Sequence, residues 1–172
     1  DPKLFLVGED GRDLGVVELE GAKAKDWEDI AIGPCTKGSD KSCVYVGDIG
    51  DNPAKRPSVA IYRFREPELP DKKPAELTVK EWDRIEFVYK PGPRNAETLL
   101  VHPKTAALYV VEKTGTARSG VFRVPRSAAQ KGQKGQPATA RQIARLKTSR
   151  GLGRLVTGGD IAPNGRELSV RT

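Results

Sequence analysis

The sequence predicts an all-β fold, a partial β-propeller of about three blades of four antiparallel strands. Three observations predict it: turn-forming residues spread along the whole chain, a hairpin unit that recurs three times, and acidic residues at the same end of each unit. Gly (18) and Pro (13) divide the 172 residues into short stretches, which favours strands joined by turns over long helices.

The repeat is the most informative feature. Trp27-Glu28-Asp29-Ile30-Ala31-Ile32-Gly33-Pro34 is followed by Val44-Tyr45-Val46-Gly47-Asp48. Ala96-Glu97-Thr98-Leu99-Leu100-Val101-His102-Pro103 is followed by Leu108-Tyr109-Val110-Val111-Glu112. Gly158-Gly159-Asp160-Ile161-Ala162-Pro163 is followed by Leu168-Ser169-Val170. Each reads as an acidic residue, an apolar strand, a Pro-bearing turn and a second strand. Two units add a third strand, Val59–Phe64 and Gly120–Pro125, whose alternation suits a sheet with unlike faces. Arg84–Tyr89 and Ala140–Leu146 supply fourth strands, completing the four of a propeller blade.

The spacing is 69 residues from Pro34 to Pro103 and 60 from Pro103 to Pro163. Compact blades repeat at roughly 40–45 residues, so insertions are expected. They fall at Glu66–Lys80 and Ser127–Pro137, read as exposed loops. Leu4–Val7 and Gly15–Leu19 flank a Glu9-Asp10-Gly11 turn and form a further hairpin. The expected organisation is a single propeller over 1–172, with a hairpin at 1–20, blades at 26–90 and 95–147, and a half blade at 155–172. A ring needs at least four blades, so the expectation is a fragment of a larger ring; the alternative is a homodimer closing six blades.

The formal charge of +7 is uneven, because Lys113–Gly159 holds eleven basic residues and no acidic one. That stretch includes Lys131–Pro137, which reads as a solvated loop, and no aromatic residue follows Arg123 to stack on a base, which disfavours nucleic acid. Docking of the basic stretch on an anionic polymer is a third functional reading beside those below. No apolar run approaches the ~18 residues of a membrane span. Cys35 and Cys43 are the only cysteines. A disulfide closing the hairpin loop is the simplest reading and implies a secreted, periplasmic or cell-surface location; a reduced pair is the alternative.

First strands of propeller blades line the channel, so their starts converge at one rim. Pairing Gly33 with Cys43 puts Glu28 opposite Asp48, an unfavourable like-charge pair that water, a proton or a cation would relieve. Glu28, Asp29, Asp48, Asn95 and Asp160 are the candidate metal ligands, and the hard oxygen set points to calcium. In the competing reading Asp26 and Asp29 are solvated, and Asp51 and Asn52 cap turn amides. Glu97 is balanced across its turn by Lys113, and His102 sits in a turn away from the acids. No Gly-x-Ser-x-Gly elbow or His-Glu-x-x-His motif is present, so no catalytic residues are assigned; a metal-assisted carboxylate base would be Asp48 or Asp160. Trp27 is expected to wedge between blades or line a sugar or lipid pocket, and Trp82 to cover an outer strand.

Asp26-Trp27-Glu28-Asp29-Ile30-Ala31, Gly47-Asp48-Ile49-Gly50-Asp51-Asn52 and Asn95-Ala96-Glu97-Thr98 resemble an uncharacterised group of secreted bacterial β-propeller proteins, over roughly residues 26–65 and 95–172. Members of that group are longer, in line with the fragment expectation. The Glu28-Asp29 step is also similar to the calcium site of paraoxonase- and gluconolactonase-type propellers, where the ion polarises a lactone or ester carbonyl. The expected function is a secreted binding or scaffold module with a rim calcium, its partner a small molecule, polysaccharide or protein. The alternative is a calcium-dependent lactonase or esterase using the same rim.

Overall fold

The computed structural model describes residues 1–69, 74–125, 137–148 and 155–172. Among the described residues there are thirteen strands and no helix, so no helix is long and apolar enough to cross a membrane. The strands are β1 (Lys3–Val7), β2 (Asp13–Leu19), β3 (Trp27–Pro34), β4 (Ser42–Asp48), β5 (Val59–Arg65), β6 (Ala75–Val79), β7 (Asp83–Lys90), β8 (Ala96–Val101), β9 (Leu108–Glu112), β10 (Arg118–Val124), β11 (Ala138–Lys147), β12 (Gly158–Ile161) and β13 (Leu168–Arg171).

Eight of them form one sheet in the order β3-β4-β5-β7-β11-β10-β9-β8. The first four belong to the first repeat and the last four to the second, in mirrored order. β7 and β11 join the halves in parallel, from Phe87↔Ala138 to Lys90↔Arg141. The sheet bends back until its edge strands β3 and β8 touch, giving a nearly closed, barrel-like body.

Burial explains why the strands read as nearly continuous apolar runs. Along β4, Cys43 and Tyr45 face a core shared with Ile61 and Phe87 of the first repeat and Leu99, Val110 and Phe122 of the second. The intervening Val44 and Val46 face a second core with Tyr62, Phe64, Val17 and Leu19. A strand covered on both faces loses polar alternation. The unlike faces expected of Val59–Phe64 are therefore both buried: Ile61 lies in the shared core and Tyr62 in the second.

The second core is roofed by a three-stranded sheet, β1-β2-β6. Here the structure corrects the reading of Glu66–Lys80 as an exposed loop: its described part contains β6, which pairs in parallel with β2 from Gly15↔Ala75 to Leu19↔Val79. The approach is close enough that a Cβ on Gly15, whose φ is +115°, would overlap the Ala75 backbone. Leu77 and Val79 add to the roof because the Ala-Glu-Leu-Thr-Val alternation points them inward. Trp27 and Trp82 flank Tyr62, with ring centroids 5.8 and 5.2 Å away. Trp82 also donates its indole N–H to the Glu20 carbonyl at 3.0 Å, tying the roof down. The other expected insertion, Ser127–Pro137, lies outside the described residues except for Pro137.

A third core of Leu100, Val111, Val121 and Val156 lies on the far face of the second repeat, with Ile161 and Val170 of the β12-β13 hairpin packed against it. The first strands of the three repeats thus lie side by side: β8 touches both β3 and β12 without pairing to either.

Cys35 and Cys43 form a disulfide with Cα atoms 4.9 Å apart, at the loop end of the β3-β4 hairpin where Gly33 pairs with Cys43. The pair is joined in sequence by only 8 residues. Loop-closure entropy for so short a link gives a stabilisation of about 2–3 kcal/mol. Replacing both cysteines by Ala should lower urea-unfolding stability by at least that amount, since Cys43 also belongs to the shared core.

Candidate functional site

The acidic rim is set by two matching β-bulges. In β3-β4, Trp27 faces Asp48 and Asp29 faces Gly47, leaving Glu28 as the extra residue. In β8-β9, Ala96 faces Glu112 and Thr98 faces Val111, leaving Glu97 as the extra residue. The expected opposition of Glu28 and Asp48 is therefore corrected: Trp27 takes that place, and the bulge re-aims the Glu28 side chain. Asp48, only 1% exposed, is neutralised by Arg56 at 2.9 Å and accepts the Asp26 N–H at 3.0 Å. Buried and committed in this way, it is poorly placed to act as a base on a bound substrate.

Glu28 is instead gathered with Asp26 over Gly50, whose N–H donates to the Asp26 carbonyl at 3.2 Å. A Cβ on Gly50 would overlap Asp26 Oδ2 and lie 2.5 Å from Glu28 Oε1, so the two carboxylates converge on a surface that only glycine leaves open. Burial raises the Glu28 pKa from its ordinary 4.5 to about 7, with further upward pushes from Glu97 and then Asp26, against a smaller downward pull from Lys113. Glu97 itself forms an ion pair with Lys113, as its placement across the turn implied.

The remaining predicted ligands are held elsewhere. Asp29 Oδ2 accepts the Leu99 N–H at 2.8 Å and its Oδ1 accepts the Ile30 N–H at 3.0 Å. Burial raises the Asp29 pKa, and these two amide donors oppose the rise. Asn95 Oδ1 accepts the Asp51 N–H at 2.8 Å, and its amide donates to Asn52 Oδ1 at 3.2 Å. Asp160 is exposed and accepts its neighbour Ile161 N–H at 2.7 Å. Asp51 caps the Lys55 and Arg56 amides at 2.9 and 2.8 Å, the turn role weighed for it from sequence. His102 also serves a turn, its Nδ1 accepting the Lys104 N–H at 3.1 Å.

Of the five predicted ligands, then, only Glu28 points into the convergent pocket of charge, and its companions are Asp26 and Glu97. Among the described residues no group of three His, Cys, Asp or Glu side chains stands ready to hold a metal ion. The residues that fit a hard cation are the Asp26 and Glu28 carboxylates over Gly50, which offer oxygen donors and an open approach. Sequence reasoning passed over Gly50 and Arg56. The signal for Gly50 was a glycine set between Asp48 and Asp51; Arg56 carried none, since its partner lies eight residues back across a turn.

The raised Glu28 pKa fixes a pH dependence. The folded value of about 7 lies above the ordinary 4.5, so between them the native state binds more protons than the unfolded chain. Stability contributed by protonated Glu28 is full below about pH 4.5 and is lost as pH rises through about 7. In a chelator-containing buffer, thermal melts of Glu28→Gln should lose less stability across that window than wild type.

Compared with family models, curated proteins and solved structures, the chain matches none, so the functional reading rests on its own geometry.

Proposed function

We propose that this chain is the blade-bearing part of a secreted β-propeller binding module whose channel rim takes up calcium as a structural ion. The propeller reading is supported by the four strands of each of the first two repeats and by the contact of β8 with the other first strands, β3 and β12, without a ladder between them. The disulfide fits an oxidising compartment.

One observation carries the calcium reading: Asp26 and Glu28 converge over Gly50 while Glu97 raises the cost of ionising Glu28. A divalent cation supplies the positive charge that Lys113, already engaged by Glu97, only partly provides. Asp26 and Glu28 would hold the ion, with Glu97 within reach of the same field. Bound there, calcium would neutralise the rim and lock the two first strands together, leaving the channel mouth to a small molecule, polysaccharide or protein. The binding reading is favoured over a lactonase or esterase because Asp48, one of the two candidate bases, is buried in its ion pair with Arg56, and Asp160, the other, is turned to its neighbour's amide.

Isothermal titration with calcium at pH 8, where proton competition at Glu28 is weak, should show saturable binding. At a hundredfold excess over Kd the melt should gain about 2.7 kcal/mol. Glu28→Gln should abolish both effects. No heat and no melting shift with calcium would remove the ion from the account.

A further inference from the structure

A cavity of about 170 Å³ has Asp51 in its wall but neither Asp26, Glu28 nor Glu97. It opens between the turn after β4 and the end of β7, and Arg56, Tyr89 and Arg94 contribute to its wall. Tyr89 is 6% exposed, its ring held edge-on by Phe87 and Phe122 at 5.3 and 5.1 Å. Its hydroxyl has no hydrogen-bond partner among the described residues, and neither does Arg56 Nε nor Arg94 Nε, although all three atoms are buried. Buried polar atoms in native proteins are nearly always satisfied, so three orphaned donors on residues of one cavity wall point to an occupant rich in acceptors.

The other atoms of these groups are accounted for. The terminal nitrogens of Arg56 hold the Gly50 carbonyl at 2.7 Å and Asp48 at 2.9 Å. Arg94 Nε stands 3.8 Å from Glu112 Oε2, an ion pair too long for a hydrogen bond. The nearby acids are spent on backbone amides: Asp51 on Lys55 and Arg56, and Glu112 Oε1 on Gly120 at 2.8 Å. Burial raises the Tyr89 pKa, so the hydroxyl stays protonated and remains a donor. Val59 and Pro93 supply apolar wall.

We propose that this cavity binds a small organic acid, its carboxylate accepting from the Tyr89 hydroxyl and the Arg56 and Arg94 Nε groups, its short carbon chain lying against Val59 and Pro93. Planar carboxylate oxygens match guanidinium donors, and a tyrosine hydroxyl completes the set. The volume is well below the roughly 300 Å³ at which drug-sized ligand pockets begin, which limits the ligand to a few carbons. This site stands independently of the calcium reading.

The test is calorimetric titration of propionate, with phosphate as the inorganic comparison, at fixed ionic strength and with chelator present. Propionate should bind saturably, and Tyr89→Phe, which keeps the ring packing, should weaken it about tenfold, as expected for a hydrogen bond to a charged group. Arg94→Met should weaken it by a similar factor, while Arg118→Met, at an exposed arginine outside the cavity wall, should bind as wild type does. Absence of saturable propionate binding, equal binding by wild type and Tyr89→Phe, or phosphate binding as well as propionate would each overturn the proposal.

Discussion

The structure depends on how two first strands meet without sharing a ladder. β3 and β8 lie side by side, yet neither pairs with the other, so a buried amide on β8 must find its acceptor elsewhere. Asp29 supplies it, reaching from β3 to take the Leu99 N–H at 2.8 Å across 70 residues of sequence. Desolvating that carboxylate is unfavourable, as its raised pKa records, and the two amide hydrogen bonds offset part of the cost. Thr98 occupies the matching position in the second repeat, fully buried, with an Oγ1 that has no hydrogen-bond partner among the described residues. The first repeat thus carries the polar link and the second carries a smaller side chain that leaves room for the neighbouring β12 hairpin, where Gly159 lies over Thr98.

The acidic rim follows from that link. Glu28 and Glu97 each precede the residue at this contact and each is the extra residue of a bulge, so docking the strands sets the two glutamates in one another's field. The rim acids are then relieved by different means. Asp48 has Arg56, Glu97 has Lys113, and Glu28 receives only the residual pull of Lys113, outweighed by burial and two carboxylates. A site in which one acid is left underbalanced is where a proton or a cation has most to gain.

Much of this architecture was legible because hydrophobic pattern and turn residues repeat. The three hairpins share an acidic start, an apolar strand and a Pro-bearing turn, the Gly33–Cys43 register fixes the first of them, and the eight-residue spacing of the cysteines matches a closed hairpin end. The bulges were not legible. An extra glutamate has no compositional mark, and it shifts every pairing beyond it by one, which is why Trp27 faces Asp48. β6 was hidden for another reason: its Leu77 and Val79 sit in a run dominated by Pro, Lys and Glu, and its partner β2 lies far back in the sequence. Likewise the five expected ligands were chosen for being acidic near strand starts, whereas backbone amides and Arg56 claim most of them; those demands appear only once the turns are built.

The most direct test of this account is a carboxyl-carbon NMR titration of Glu28, in wild type and in Glu97→Gln. If the two bulged glutamates share one rim, Glu28 titrates near pH 7 and moves downward when Glu97 loses its charge and frees Lys113. A Glu28 that titrates near its ordinary 4.5 and ignores the substitution would show that the first strands do not meet as described.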